Sequence, residues 1–378
     1  MKKYSSYTQS GTGRPVEEFT ASKSLQGFLN NAIERAEQVN PRFAELWREI
    51  ARVANGGKGV RPQLLHMATH SYPARPVHPV INAVGAGFEL LHTALLIHDD
   101  VIDQDELRRH QLTVNAAAER RAATRMALGA RATSAGGSEH AKQYGRSVGI
   151  LAGDLALTGA YRLIATSHAP ESRLLRLLAI LDEAVFRSAA GEFLDVEHAL
   201  PGLTVSNQEI LLATRLKTSA YSFEAPLTAG AVLGGAPVAD VKALSSIGRA
   251  MGTAYQLVDD VLGVFGDPEQ TGKSAQSDLR EGKRTMLISL AEHGPYGPKL
   301  REILDRAALE GLSDDDAHTA KDLLERCGAR AGVERMAEQA AQRAKGLLED
   351  SELPATLVEQ LTETTDEIVR GTGFMKQG

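Results

Sequence analysis

From about Ser24 onward, apolar residues recur at three- and four-residue spacing for nearly the whole chain, while alternating, strand-like runs are scarce. This periodicity predicts an all-α fold. Short breakers divide the helical stretches: Gly56-Gly57 with Pro62, the segment from Pro73 to Pro79, Gly136-Gly137, Pro170, Pro201-Gly202, Gly234 to Pro237, Asp267-Pro268, Gly294 to Pro298, and Pro354. More than ten helices result. None of the breaks is long or of low complexity, and no repeat of solenoid period is visible. Residues 24–371 are therefore expected to form one helical domain, with residues 1–23 a flexible N-terminal segment and residues 372–378 a flexible tail.

Composition narrows the setting. Hydrophobic residues make up 43% of the 378 and charged residues 24%, enough apolar material for a substantial core. The net charge of −6, from 42 basic and 48 acidic residues, argues against a nucleic-acid partner. The lone cysteine, Cys327, has no internal disulfide partner and fits a reducing compartment. The opening MKKYSSYTQSGTG lacks the apolar run of a secretory signal, so a cytoplasmic location is expected. The greasiest segment, Phe88 to Ile102, is interrupted by Glu89, His92 and His98, so no membrane span is expected.

The candidate chemistry lies in two echoing stretches, LLIHDDVID ending at Asp103 and YQLVDDVLG ending at Gly263. On a helix, Asp99 and Asp103 project from the same face, and two carboxylates there suit Mg²⁺, a hard ion completed by substrate phosphates and water. A solvated acidic face is the bland alternative. Against it, Leu90, Leu91, Ala94, Leu95 and Ile97 mark a mostly buried helix, and carboxylates carried into a core need cations. Asp259 and Asp260 carry the second motif, in which Gly263 stands where a third Asp would complete the copy. Two such helices facing one another would make a multi-metal cage.

Basic clusters accompany these acids: Lys58 and Arg61 within GGKGVRP, Arg108-Arg109 just past the first motif, and Lys273 and Lys283-Arg284 in the stretch from Thr271 to Thr285. Arg forks and Lys ammonium groups are phosphate ligands, so two diphosphates with magnesium between them account for the mixture. His92 and His98 lie six apart, which favours one anion contact, His92, and one structural or supporting histidine, His98, over a shared metal. TGKS at 271–274 fails as a phosphate-binding P-loop, because Asp267 stands where the leading Gly must be.

In order along the chain, GGKGVRP, DDVIDQDELRR, Lys217-Thr218, QLVDD, GDPEQTGK and DLREGKRT make the sequence resemble the polyprenyl synthetase family, the trans-isoprenyl diphosphate synthases. The resemblance runs from about Gly56 to Thr285. It implies the isoprenoid synthase fold, a single large helical bundle around a central cavity, and head-to-tail condensation of isopentenyl diphosphate with an allylic diphosphate (dimethylallyl, geranyl or farnesyl). It further implies that Lys58, Arg61, His92 and Arg109 hold isopentenyl diphosphate. Asp99, Asp103 and Asp259 would bind several Mg²⁺ ions bridged by the allylic diphosphate, which Arg108, Lys217, Thr218, Gln256, Lys273 and Lys283 would also serve. Asp99, Asp103, Arg108, Lys217, Asp259 and Lys273 form the implied catalytic set, and closure of the loop between Asp267 and Lys283 would exclude water. A homodimer is the family's usual state.

Two positions depart from the family pattern: Gly263, and His110 where a Gly usually follows the Arg pair. Product length is expected to depend on Leu91, Ala94 and Leu95. No aromatic floor stands at or beside Ala94, so twenty-carbon geranylgeranyl diphosphate is expected, ahead of a longer polyprenyl chain. A terpene cyclase on the same scaffold would not need Lys58, Arg61 and Arg109, and a non-catalytic partner subunit would be expected to lack the first Asp motif.

Overall fold

A 25-residue helix, α4 (His78–Ile102), runs through the middle of the molecule, and its buried residues lie on nearly every side. In this computed structural model the described residues are 20–56, 59–74, 76–128, 137–200, 203, 205–266, 279, 283–292 and 294–371. Three helices precede α4: α1 (Ala21–Val39), α2 (Pro41–Ala54) and α3 (Val60–His70). After it come a small β-hairpin, β1 (Leu107–Arg108) and β2 (Gln111–Leu112), then α5 (Val114–Leu128), α6 (Gly137–Ala165) and α7 (Glu171–His198). Next, α8 (Asn207–Thr214) continues through a π-helical segment (Arg215–Glu224) into α9 (Ala225–Gly234), and α10 (Val238–Phe265) follows. The rest is α11 (Met286–Glu292), α12 (Gly297–Glu310), α13 (Asp314–Arg326), α14 (Ala329–Glu349) and α15 (Ala355–Arg370). The all-helical expectation holds, and the hairpin is the sole sheet among the described residues.

Local sequence sets many of the helix ends. Thr20 and Ser313 accept from backbone N–H groups in the first turns of α1 and α13, and Ser206 with Glu209 forms a reciprocal capping box at the start of α8. Asn40 joins α1 to α2, accepting from the Arg42 N–H with Pro41 at the first helical position.

Close approach by small residues builds the bundle around α4. Along the α4–α6 contact, a Cβ on Gly153 would fall 2.2 Å from Nε2 of His98. Between α7 and the π-helical segment, a Cβ on Gly191 would lie 2.2 Å from the backbone nitrogen of Lys217. Only glycine permits the second contact, because backbone cannot swing aside as a side chain can. The π-helical segment is thus pressed directly onto α7 at the residue that carries the Lys-Thr pair.

On length and mean hydropathy, α4 (hydropathy 1.6) and α6 (1.4) are each long and apolar enough to cross a membrane. Glu89, His92 and His98 interrupt any unbroken apolar run in α4, but a mean over the window tolerates them. In the fold, 78% of the apolar window of α4 is buried against neighbouring helices, as befits a core helix; for α6 the share is 44%.

Candidate active site

The helix ends assemble the site. Asp99 lies in the last turn of α4 and Asp103 caps it, while Asp259 and Asp260 sit near the end of α10. The dipole of a helix disfavours negative charge at its C-terminus, so both ends call for cations. Around them opens a cavity of about 880 Å³, lined by α3, α4, the hairpin, α7, the π-helical segment, α10 and residues 283–285.

Side-chain cations meet the first acidic end. The Lys217 ammonium lies 2.9 Å from Oδ1 of Asp99, 2.8 Å from Oε2 of Glu192 and 2.8 Å from Oδ2 of Asp195. The Arg108 guanidinium reaches Asp99 at 3.1 Å, Asp105 at 3.4 Å and Asp100 through Nε, and Lys283 lies 2.6 Å from Oδ2 of Asp103. Burial works to raise the Asp99 carboxyl, but Lys217, Lys283 and Arg108 together outweigh it and hold the group far below the usual carboxylate range. Burial pushes Asp100, almost wholly enclosed, up to about 6 despite its bond from Arg108. Glu192 is likewise raised, by burial first, with Lys217 opposing. The Lys217 ammonium is held well above its ordinary value, because Asp99, Asp195 and Glu192 overcome its own burial.

A second, cationic subsite lies deeper. Arg61, buried, donates to Oε1 of Glu89 at 3.3 Å and to Oγ of Ser222 at 2.9 Å, with its guanidinium 4.9 Å from the centre of the Tyr221 ring. Nδ1 of His92 lies 3.1 Å from the Tyr221 hydroxyl, and the two rings stack at 5.8 Å. Burial, then the charges of Arg61, Arg109 and Arg108, hold His92 well below its ordinary value, so it stays neutral. Arg109 turns back to donate to the Gly56 carbonyl, joining the hairpin to the Gly-rich segment. The hairpin turn explains one departure in the sequence: Arg109 and His110 have φ of 52° and 59°, the two left-handed central positions of a two-residue turn, where Gly is unstrained. Four buried polar atoms of cavity-wall residues, Nε of Arg61, Oγ of Ser188, Oε1 of Glu192 and Oγ1 of Thr285, have no hydrogen-bond partner among the described residues, which fits a polar ligand.

Most of the predicted site residues converge. Asp99, Arg61, His92, Arg108, Arg109, Lys217, Thr218, Gln256, Asp259 and Lys283 all line the cavity, and Asp103 joins through Lys283. Gln256 turns its amide to Oδ1 of Asp260 at 2.8 Å. Lys58, Lys273 and most of the Asp267–Lys283 loop lie outside the described residues. His98 lies 3.3 Å from Asp154 of α6 and also lines the cavity. Of the three length-setting candidates, Leu95 lines the cavity, but Ala94 and Leu91 are fully buried in the main core cluster instead. The α4 positions that line the cavity run 92, 95, 96, 98, 99, 102; Ala94, turned about 100° from Leu95 around the helix, is not among them.

Sequence reasoning missed Glu192 and Asp195 of α7. Their i, i+3 spacing in EFLDVEH put two acids on one face, but only the packing of α7 on the π-helical segment reveals that Lys217 lies between them. Glu89, Ser222 and Tyr221, which frame Arg61, were also missed. Each sits one or two helical turns from a motif residue, with no spacing signal of its own.

The sequence and the fold are shared with known proteins. The polyprenyl synthetase family model matches residues 44–318. This chain belongs to the polyprenyl synthetase family. It is 30% identical over 302 residues to the octaprenyl diphosphate synthase of Escherichia coli K12, covering 79% of this chain and 81% of that one. It is 33% identical over 293 residues to the (2E,6E)-farnesyl diphosphate synthase of Mycobacterium tuberculosis H37Rv, covering 76% and 71%. Among solved structures, geranylgeranyl pyrophosphate synthase from Corynebacterium glutamicum, complexed with isoprenyl diphosphate and magnesium, superposes with a TM-score of 0.82 at 28% identity, over 92% of this chain and 97% of that one. The isoprenoid synthase fold and a chain-elongating prenyl diphosphate synthase activity follow for this member of the family. For this synthase the donor set fits magnesium: Asp99, Asp103 and Asp259 offer hard carboxylate oxygens at two helix ends that face one cavity.

Proposed function

We propose that the protein condenses isopentenyl diphosphate with an allylic diphosphate to make geranylgeranyl diphosphate, using Mg²⁺, as a cytoplasmic homodimer. One observation carries the reading: a single cavity joins an acidic, metal-suited end to a separate cationic subsite around Arg61, which accommodates two diphosphates. A cyclase acting on one diphosphate has no use for the second subsite.

Asp99, Asp103 and Asp259 would hold magnesium, which when bound shields the leaving diphosphate and favours its departure. Lys217, Arg108 and Lys283, paired with carboxylates in this structure, are placed to turn toward the diphosphate oxygens as the carboxylates take metal. The allylic C–O bond breaks, and its electron pair leaves with the diphosphate. Arg61, Arg109 and neutral His92 hold isopentenyl diphosphate so that its double bond faces the resulting cation. A new C–C bond forms, and a proton is lost from the adjacent carbon to the departed diphosphate, giving a longer allylic diphosphate. No side-chain nucleophile takes part. Placing two anions with their reacting carbons together supplies much of the acceleration, and water that reached the cation would make an alcohol.

Product length is the finer reading. It is supported by aliphatic side chains, Leu95 and Leu96, where an aromatic would close the α4 wall. Pure protein with Mg²⁺, labelled isopentenyl diphosphate and each allylic primer tests both levels. Linear twenty-carbon product is expected; cyclic or absent product would overturn the reaction class, and a longer chain only the length. Leu95→Phe should shorten the product, whereas Ala94→Phe, directed into the core, should chiefly destabilise. The dimer is supported by an apolar strip on α7, where Leu175, Phe186 and Phe193 share one helical face and are 64%, 71% and 65% exposed. A second copy laid on that strip would cover it. Light scattering at the dimer mass, reduced to the monomer mass by Phe186→Glu, is the expected result.

A further inference from the structure

Outside the cavity, three histidines meet at the corner where α3 gives way to α4. His66 and His70 lie one helical turn apart on α3, and His78 is the first residue of α4. All three are exposed, and one ring nitrogen from each lies within 4.8 Å of the others. The His66 and His70 rings stack at 3.8 Å, and those of His70 and His78 at 5.8 Å. The synthase reaction uses none of them, and they are absent from the cavity wall.

The hydrogen bonding settles one tautomer. Nδ1 of His70 lies 2.9 Å from the His66 carbonyl oxygen. A carbonyl can only accept, so Nδ1 carries the proton and Nε2 keeps its lone pair, the arrangement by which a backbone carbonyl orients a metal-binding histidine. The end of α3 at His70 favours positive charge, which offsets the opposite preference at the start of α4.

We propose that His66, His70 and His78 form a transition-metal site, separate from the magnesium site, that takes Zn²⁺ with three imidazoles and a water molecule. Three nitrogen donors without a carboxylate select borderline-soft ions over magnesium, which prefers oxygen. Zinc–nitrogen bonds of 2.0–2.1 Å place tetrahedral ligand atoms roughly 3.4 Å apart, so small rotations of exposed side chains bring the three into range. The bound ion clips the C-terminal end of α3 to the N-terminal end of α4. These are the helices that carry Arg61 and the first aspartate motif, so the clip braces the corner far from the chemistry.

The test is isothermal titration of the chelator-treated full chain with ZnCl₂ in excess Mg²⁺, which masks the carboxylates, together with thermal melts. One zinc per chain is expected, with a rise in Tm of about 2 °C or more at saturation. His66→Gln, His70→Gln and His78→Gln should each weaken zinc binding at least 10-fold while prenyl transfer in Mg²⁺ continues, and Asp99→Asn should leave zinc binding unchanged. Equal zinc uptake by the wild type and a triple His→Gln variant would overturn the site. So would zinc binding lost on Asp99→Asn, which would place the ion in the catalytic cage.

Discussion

Replacing Lys217 with Met keeps the bulk of the side chain and removes the one charge shared by three carboxylates. Its ammonium contacts Asp99, Glu192 and Asp195 at 2.8–2.9 Å. At an effective dielectric of about 20, each such contact is worth about 6 kcal/mol of gross attraction. Desolvation of the lysine and screening consume most of that. Breaking a buried pair costs about 3–5 kcal/mol, and because these side chains remain 16–29% exposed, about 2–3 kcal/mol is expected at pH 8. The pH dependence has a definite sign. In the wild type Asp99 is depressed, so its contribution is fully present above the unfolded value near 3.9 and is lost only as pH falls through the lower folded value. In Lys217→Met, burial prevails at Glu192, and Asp99 keeps Lys283 and Arg108 but loses its strongest cationic partner, so the carboxylates cost stability at high pH and recover it by taking up protons as pH falls.

 The stability gap between wild type and variant should therefore widen from pH 5 to pH 8. Denaturant unfolding in metal-free buffer across that range measures it. Added Mg²⁺ should restore more stability to the variant than to the wild type, because the ion takes over the charge that the lysine supplied, while turnover at saturating Mg²⁺ stays at least ~10²-fold down. Parallel stability profiles from pH 5 to pH 8, with no differential rescue by Mg²⁺, would refute the shared-cation account.

Three further outcomes follow from the same geometry. Asp99→Ala or Asp103→Ala should each lower kcat by at least ~10²-fold at saturating Mg²⁺, read by transfer of labelled isopentenyl diphosphate; near-normal turnover would rule out the cage. His110→Gly removes a left-handed non-glycine residue from the hairpin turn and should stabilise the protein by about 1 kcal/mol, or a rise in Tm of roughly 2 °C; a lower Tm would mean that the imidazole makes a contact worth more than the strain. Gly191→Ala forces a Cβ against the Lys217 backbone and should cost about 1–3 kcal/mol in denaturant unfolding and reduce kcat as well; a neutral result would mean that α7 and the π-helical segment separate easily.

The sequence by itself determined the helices and the chemistry they carry. Apolar residues at three- and four-residue spacing, with breakers between, are local facts of the backbone, and they put Asp99 and Asp103 on one face of α4 before any packing is known. The ordered motifs likewise placed Arg61, His92, Lys217, Gln256 and Asp259 on one cavity. Helical periodicity does not fix how far a helix is turned about its own axis within a bundle, which is why Ala94 proved to face the core while Leu95 faces the cavity. Nor does it reveal partners distant in the chain. The grouping of Asp99, Glu192 and Asp195 around Lys217 depends on Gly191 letting the π-helical segment press against α7, and His78 joins His66 and His70 only because α3 turns back into α4. Periodicity is written in neighbours three and four residues apart; charge pairing across a cavity is decided by which helix faces meet, and that belongs to the tertiary structure alone.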